Sequence, residues 1–155
     1  MLSDMKVATK YPGRLLGLDV GDCRIGMAIS DELGLTAQGL STLERRNKRA
    51  DMVAIQEVII THAVDGIVVG MPRNMDGSYG ERAAITERFI QDLEHLCRLP
   101  CIRWDERLTT RQAERLLITA NQRRHKRKLV RDKIAAQLIL QNYLDYQHAQ
   151  AYRFS

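Results

Sequence analysis

Residues 15–30, LLGLDVGDCRIGMAIS, contain the feature that most restricts the fold. Two short apolar runs flank Gly21-Asp22-Cys23-Arg24, the pattern of a β-hairpin closed by a Gly/Asp turn. The first run holds an acid, Asp19, between Leu18 and Val20, where an unpartnered carboxylate would be expensive to bury. A third strand is expected over 36–43, completing an antiparallel meander. The periodicity then changes. Met52, Ile55, Val58, Ile59 and His62 fall at helical spacing. GIVVGM (66–71) has the β-branched content of a strand buried on both faces. Residues 81–98 are again helical, with Ala84, Ile85, Phe89, Leu93 and Leu96 as the expected apolar stripe. A strand CIRW follows Pro100 and ends at Asp105-Glu106. Thr109 or Thr110 then caps a helix through Ile118, and a last helix runs from about Asp132 to Tyr146. Three strands followed by helix–strand–helix–strand–helices make a mixed α/β sheet.

Composition bounds what such a sheet is for. The 155 residues are expected to form one domain, with 1–13 a flexible N-terminal extension. Charged residues at 28% and apolar residues at 45% exclude a disordered chain, a collagen-like repeat and a disulfide miniprotein. No apolar run reaches the roughly 20 residues that cross a bilayer, and Met1–Pro12 has no signal-peptide core. A cytoplasmic protein without a membrane partner is expected. The three cysteines read as free thiols, and the four scattered histidines give no zinc or triad spacing. Twenty-four Lys and Arg against 19 Asp and Glu leave a net charge of +5. Much of this excess lies in one run, Arg123, Arg124, Lys126, Arg127 and Lys128. Such a run is either a solvated face or a contact for a phosphate backbone. Aromatic residues make up only 5%, so backbone and shape recognition is indicated rather than base stacking.

Three acids stand out from the surface pattern: Asp19 inside its strand, Asp105-Glu106 at the end of another, and Asp132 after the basic run. In α/β sheets functional groups gather at the carboxyl ends of strands. If the strands of Asp19 and of residues 100–104 run parallel to GIVVGM, these acids share one edge, and a helix across it adds Asp132. Carboxylates brought together there need a hard divalent cation, Mg²⁺ or Mn²⁺, and such a site suits phosphoryl chemistry. Each acid alone also has an ordinary explanation. Asp19 can be a turn former, Asp132 a helix cap or first-turn residue, and Asp105-Glu106-Arg107 an ion-paired strand end.

Four segments in order, LLGLDVGDCRIGMAISDELGLTAQGLSTL, GIVVGMPRNMDGSYGERA, DERLTTRQAERLL and DKIAAQLILQNYLD, resemble the YqgF family over about Leu15 to Asp145. This is the Holliday-junction-resolvase-like group also known as pre-16S rRNA nucleases. The resemblance implies an RNase H-like α/β fold: a mixed five-stranded sheet of order 3-2-1-4-5, strand 2 antiparallel, with helices on both faces. It implies hydrolysis of phosphodiester bonds of structured nucleic acid with Mg²⁺ or Mn²⁺, two ions when substrate is bound. The catalytic, metal-holding acids it implies are Asp19, Asp132 and one of Asp105 and Glu106. Strand alternation puts Glu106 with Ile102 and Trp104, and resolvases of this fold place a Glu there, which favours Glu106. Arg24, Arg73 and Asn74 are candidates to hold the nucleic-acid backbone beside the basic run. Cys23 stands where family members often carry Lys. The expected partner is an rRNA precursor or branched DNA, bound by a monomer or weak homodimer. Processing of the 5′ end of pre-16S rRNA is the leading reading. A junction-resolving DNA endonuclease and a catalytically silent nucleic-acid-binding module are the alternatives.

Overall fold

The computed structural model describes residues 13–74 and 76–105 in full, and a helix over 124–153 whose side chains are described from 134 to 150. The expected N-terminal extension up to Pro12, the helix capped by Thr109 or Thr110, Glu106 and Arg123 lie outside the described residues. The hairpin forms as expected. Strand β1 (Leu15–Val20) pairs antiparallel with β2 (Arg24–Ser30), Asp19 standing opposite Gly26. The expected third strand is two short ones, β3 (Ala37–Gly39) and β4 (Leu43–Glu44), both on β2. Register along β2 shifts by one residue between them, so one extra residue is accommodated around Leu40–Thr42 in the manner of a bulge. Gly39, at the end of β3, is the kind of residue that marks such a break.

Helix α1 (Lys48–Thr61) begins at Asn47, whose side chain accepts from the Ala50 amide. It returns the chain to β5 (Gly66–Met71), which lies parallel to β1 and is buried throughout. Helix α2 (Glu81–Cys97) ends at Arg98 in the left-handed region, and β6 (Cys101–Asp105) adds parallel to β5. The main path of the sheet is β3-β2-β1-β5-β6, with β4 pairing β2 beside it. The expected order 3-2-1-4-5 is therefore present, and six strands pair among the described residues.

Period-two alternation sorts the side chains into two cores. Leu16, Leu18, Val20, Ile25, Met27 and Ile29 face α1 and α2, packing on Met52, Ile55, Ile59, Phe89, Ile90 and Leu93. The other face carries Leu15, Ala28 and Val68 beneath Ala136, Ile139, Leu140 and Tyr143 of α3 (Arg124–Arg153). Helices thus cover both faces. Two expectations are corrected. The buried stripe of α2 is Ala83, Thr86, Phe89, Ile90 and Leu93, while Ala84, Ile85 and Leu96 are exposed. A count of apolar residues passes over Thr86, a small hydroxyl residue that packs well once its face is chosen by the sheet. Helix α3 also begins eight residues earlier than expected, because Arg and Lys are good helix formers without adding any apolar period.

Candidate active site

Strands β1, β5 and β6 run parallel, so their carboxyl ends share one edge of the sheet. Asp19 is the fifth residue of β1 and half-buried, on the face that α3 covers. The neighbours on that face explain why a helix can lie so close. Gly17, two residues earlier, has no Cβ. One built there would stand 2.8 Å from the Leu140 Cβ and 3.1 Å from the Ala136 carbonyl oxygen. Ala28 and Gly26, opposite Gly17 and Asp19 on β2, continue this lane of small residues. The residue directly across from Asp19 on β2, Gly26, carries no side chain. Arg24 lies two residues further along the same face, where its Nε donates to Glu44 Oε2 at 3.1 Å across the β2–β4 pair.

The direction of α3 is fixed by its hydrogen bonds to the segment entering β3. Gln137 donates to the Ala37 carbonyl, Gln141 accepts from the Ala37 amide and donates to the Leu35 carbonyl, and His148 meets the Gly34 carbonyl. Helix α3 therefore runs antiparallel to β3 and β1, its N-terminal end toward the edge where β1, β5 and β6 finish. Residue 132 is on that helix one turn before Ala136, the residue that meets Gly17. Asp132 is the ninth residue of α3 rather than its cap, so a capping or first-turn role does not account for it. Its side chain is outside the described residues. Arg124, Lys126, Arg127 and Lys128 occupy the opening turns of α3. Cations at a helix N-terminus oppose the macrodipole, so the helix dipole does not explain their position.

At the end of β6 alternation separates the two neighbouring acids. Trp104 faces α3, its ring 5.5 Å from that of Tyr143 and 5.3 Å from that of Tyr146. Asp105 takes the opposite face, like Arg103, and its Oδ2 lies 3.4 Å from Arg73 Nη1. Arg103 is gripped by Glu87 and Glu94 of α2. The paired guanidinium holds the Glu87 carboxyl below its ordinary value. Arg73 and Asn74 do reach the edge, but the loop itself engages their donors. Arg73 Nε and Nη2 both donate to the Gly77 carbonyl, and the guanidinium stacks 4.6 Å from the Tyr79 ring centre. The Asn74 amide and Nδ2 donate to the Ser78 carbonyl and hydroxyl. These two side chains set the shape of the loop after β5.

Among the described residues no group of three or more His, Cys, Asp or Glu is placed to hold a metal ion. Of the acids expected there, Asp19 and Asp105 have described side chains. The cysteines are free: Cys23 exposed, Cys97 half-buried and Cys101 buried. Burial raises the Cys97 thiol and pushes Cys101 up to about 12. The sequence reading passed over two residues: Arg45, which meets the turn after Asp19, and Asp51, which holds Arg45. The signal for them was available, since Asp51 falls on the buried α1 stripe with Ile55 and Ile59.

Residues 13–146 match the family model described as "RuvX: Holliday junction resolvase". The chain belongs to the RuvX (YqgF) family. RuvX membership brings a reaction class, phosphodiester hydrolysis. Relatives named "Putative pre-16S rRNA nuclease" cover nearly their whole length. That of Carboxydothermus hydrogenoformans is 50% identical over 133 residues, 86% of this chain and 96% of its own. That of Halothermothrix orenii is 52% identical over 135 residues, 87% and 96%. Among solved structures, Thermus thermophilus RuvC in complex with a Holliday junction substrate superimposes with a TM-score of 0.51 at 12% identity, covering 82% of this chain and 91% of that one. This likeness speaks to the fold, and it makes the RuvX chain RNase H-like. No helix among the described residues is long and apolar enough to cross a membrane.

Proposed function

We propose that this RuvX protein is a divalent-metal-dependent nuclease that processes the 5′ end of pre-16S rRNA in the cytoplasm, acting as a monomer or weak homodimer. The observation that carries the reading is Asp19 at the common end of three parallel strands, under a helix directed so that Asp132 and a basic segment lie toward the same edge. Asp19, Glu106 and Asp132 are the residues that would hold the metal. In the alternation of the sequence Glu106 falls with Ile102 and Trp104, and the Trp104 ring packs on Tyr143 and Tyr146 of α3. Asp105, engaged with Arg73 on the other face, is the weaker choice. Carboxylate oxygens with no thiolate or imidazole are a hard donor set, suited to Mg²⁺ or Mn²⁺ and poorly suited to zinc. The chemistry such an ion would supply there is Lewis-acid polarisation of a phosphoryl oxygen and activation of water.

The chain's own residues supply the rest. Gly17, Ala28 and Gly26 keep the β1–β2 surface low, so that α3 seats closely on it. Trp104, packed on Tyr143 and Tyr146, fixes α3 against the end of β6. Arg123, Arg124, Lys126, Arg127 and Lys128 hold the sugar–phosphate backbone, with Arg24 on the hairpin side and Arg73 and Asn74 shaping the opposite wall.

A second reading, resolution of branched DNA, is favoured by the family description. Comparing a pre-16S rRNA fragment with a four-way DNA junction in one assay, under Mg²⁺ and under Mn²⁺, separates them. Shortening of the precursor at its 5′ end with the junction intact is expected. Paired cuts in the junction with the precursor intact would assign the DNA activity. Tight binding of either without turnover would leave a binding module.

A further inference from the structure

The turn joining β1 to β2 begins two residues after Asp19, and its own hairpin bond, Gly21 amide to Arg24 carbonyl at 2.8 Å, is only part of what holds it. Both remaining carbonyls of the turn's shoulders point at a single residue from a distant part of the chain. The Arg45 amide donates to the Cys23 carbonyl at 2.9 Å, and Arg45 Nη1 donates to the Gly21 carbonyl at 2.8 Å. The same guanidinium uses Nε to meet Asp51 Oδ2 at 3.1 Å and stacks 5.5 Å from the Phe89 ring centre of α2. Asp51 is buried, its side chain 3% exposed, and its other oxygen accepts from the Arg46 amide at 3.0 Å. The carboxylate therefore fixes the guanidinium from one side and the backbone leading into α1 from the other. Gly21 itself has no room for a side chain, since a Cβ would stand 2.8 Å from the Arg24 carbonyl oxygen. A further tie on the turn, Asp22 to Arg82 at 3.2 Å, joins two largely exposed groups and contributes little.

A buried carboxylate is costly unless it is fully paired. Here the pairing links α1, α2 and the segment after β4 to one short turn beside the candidate site. We infer that Arg45 is a positioning residue: aligned by Asp51, it fixes the 21–23 turn and through it the setting of Asp19 for cleavage. The kinetic half of this inference rests on the proposed cleavage at Asp19, and the structural half on the hydrogen bonds alone.

Arg45→Lys separates the two. Lysine keeps a cation for Asp51 but lacks the planar fork that reaches Asp51 and Gly21 together. The variant is expected to fold, with kcat lowered about tenfold or more and KM within about threefold of wild type, because sub-ångström displacement of a reacting group costs rate rather than affinity. The double variant Arg45→Met/Asp51→Asn removes both charges, so no unpaired carboxylate is left in the core, and the same split is expected. A nitroxide on Cys23 reads the turn directly. Cys23 is the exposed thiol, whereas burial raises those of Cys97 and Cys101. Its spectrum should show faster motion in both variants. Unchanged label mobility in both would overturn the clamp. A loosened turn with kcat within twofold of wild type would overturn the positioning role. A wild-type protein that cuts neither substrate would overturn the function proposed above and the kinetic half with it, and the label would still decide the structural half.

Discussion

Asp19→Asn is expected to lower the single-turnover cleavage rate by about 10³-fold or more, equivalent to about 4 kcal/mol of transition-state stabilisation, while leaving substrate affinity within about threefold. The two halves of that expectation have different causes. Asparagine has the shape of aspartate and keeps the β1–β2 backbone pairing, so the fold and the basic surface on α3 are preserved. It lacks the anionic oxygens that a hard cation requires. Cleavage and filter binding measured on the same preparation check both halves. An asparagine variant that cuts at the wild-type rate would remove Asp19 from the chemistry.

Gly17→Val should have the next largest effect, and it acts through packing. Even a bare Cβ at this position would stand 2.8 Å from the Leu140 Cβ and 3.1 Å from the Ala136 carbonyl, atoms fixed to the α3 backbone. Valine adds two more carbons, so α3 must lift from β1. Overpacking of this kind costs about 1–3 kcal/mol, which for a chain of this size lowers Tm by roughly 3–10 °C. Activity should fall further than stability predicts, because α3 carries Asp132 and the basic segment. Gly66→Ala is the matched control. There the Cβ would meet the far end of the Leu15 side chain at 2.9 Å, which can turn aside, so a smaller loss of Tm and near-normal cleavage are expected. Thermal melts and cleavage rates on both variants make the comparison. Equal losses in the two would show that the close seating of α3 has no special part.

Much of this arrangement was legible in the chain because its signals are local. A Gly/Asp turn between two apolar runs gives the hairpin, and a β-branched run gives a central strand. A carboxylate inside an apolar strand draws attention to Asp19 before any tertiary contact is known. What was not legible depends on partners distant in the chain. The stripe of α2 includes Thr86, whose burial is decided by the sheet and not by its own polarity. The start of α3 lies in a basic run with no apolar period, where propensity alone speaks for a helix. The break between β3 and β4 turns on a single extra residue. Arg73 and Arg24 read in the sequence as candidates to hold a nucleic-acid backbone, and in the fold Gly77, Asp105 and Glu44 engage them. Asp51 shares the helical spacing of Ile55 and Ile59, but the role of its partner Arg45 emerges only when the β1–β2 turn is brought against it.

The most direct measurement is anomalous scattering from crystals of the wild-type protein soaked in Mn²⁺. The expected result is a manganese peak at the carboxyl edge of β1, β5 and β6, with oxygens of Asp19, Glu106 and Asp132 about 2.0–2.3 Å away. A well-ordered site with no manganese there, or with the Asp132 carboxylate turned to a different side of the molecule from Asp19, would contradict it.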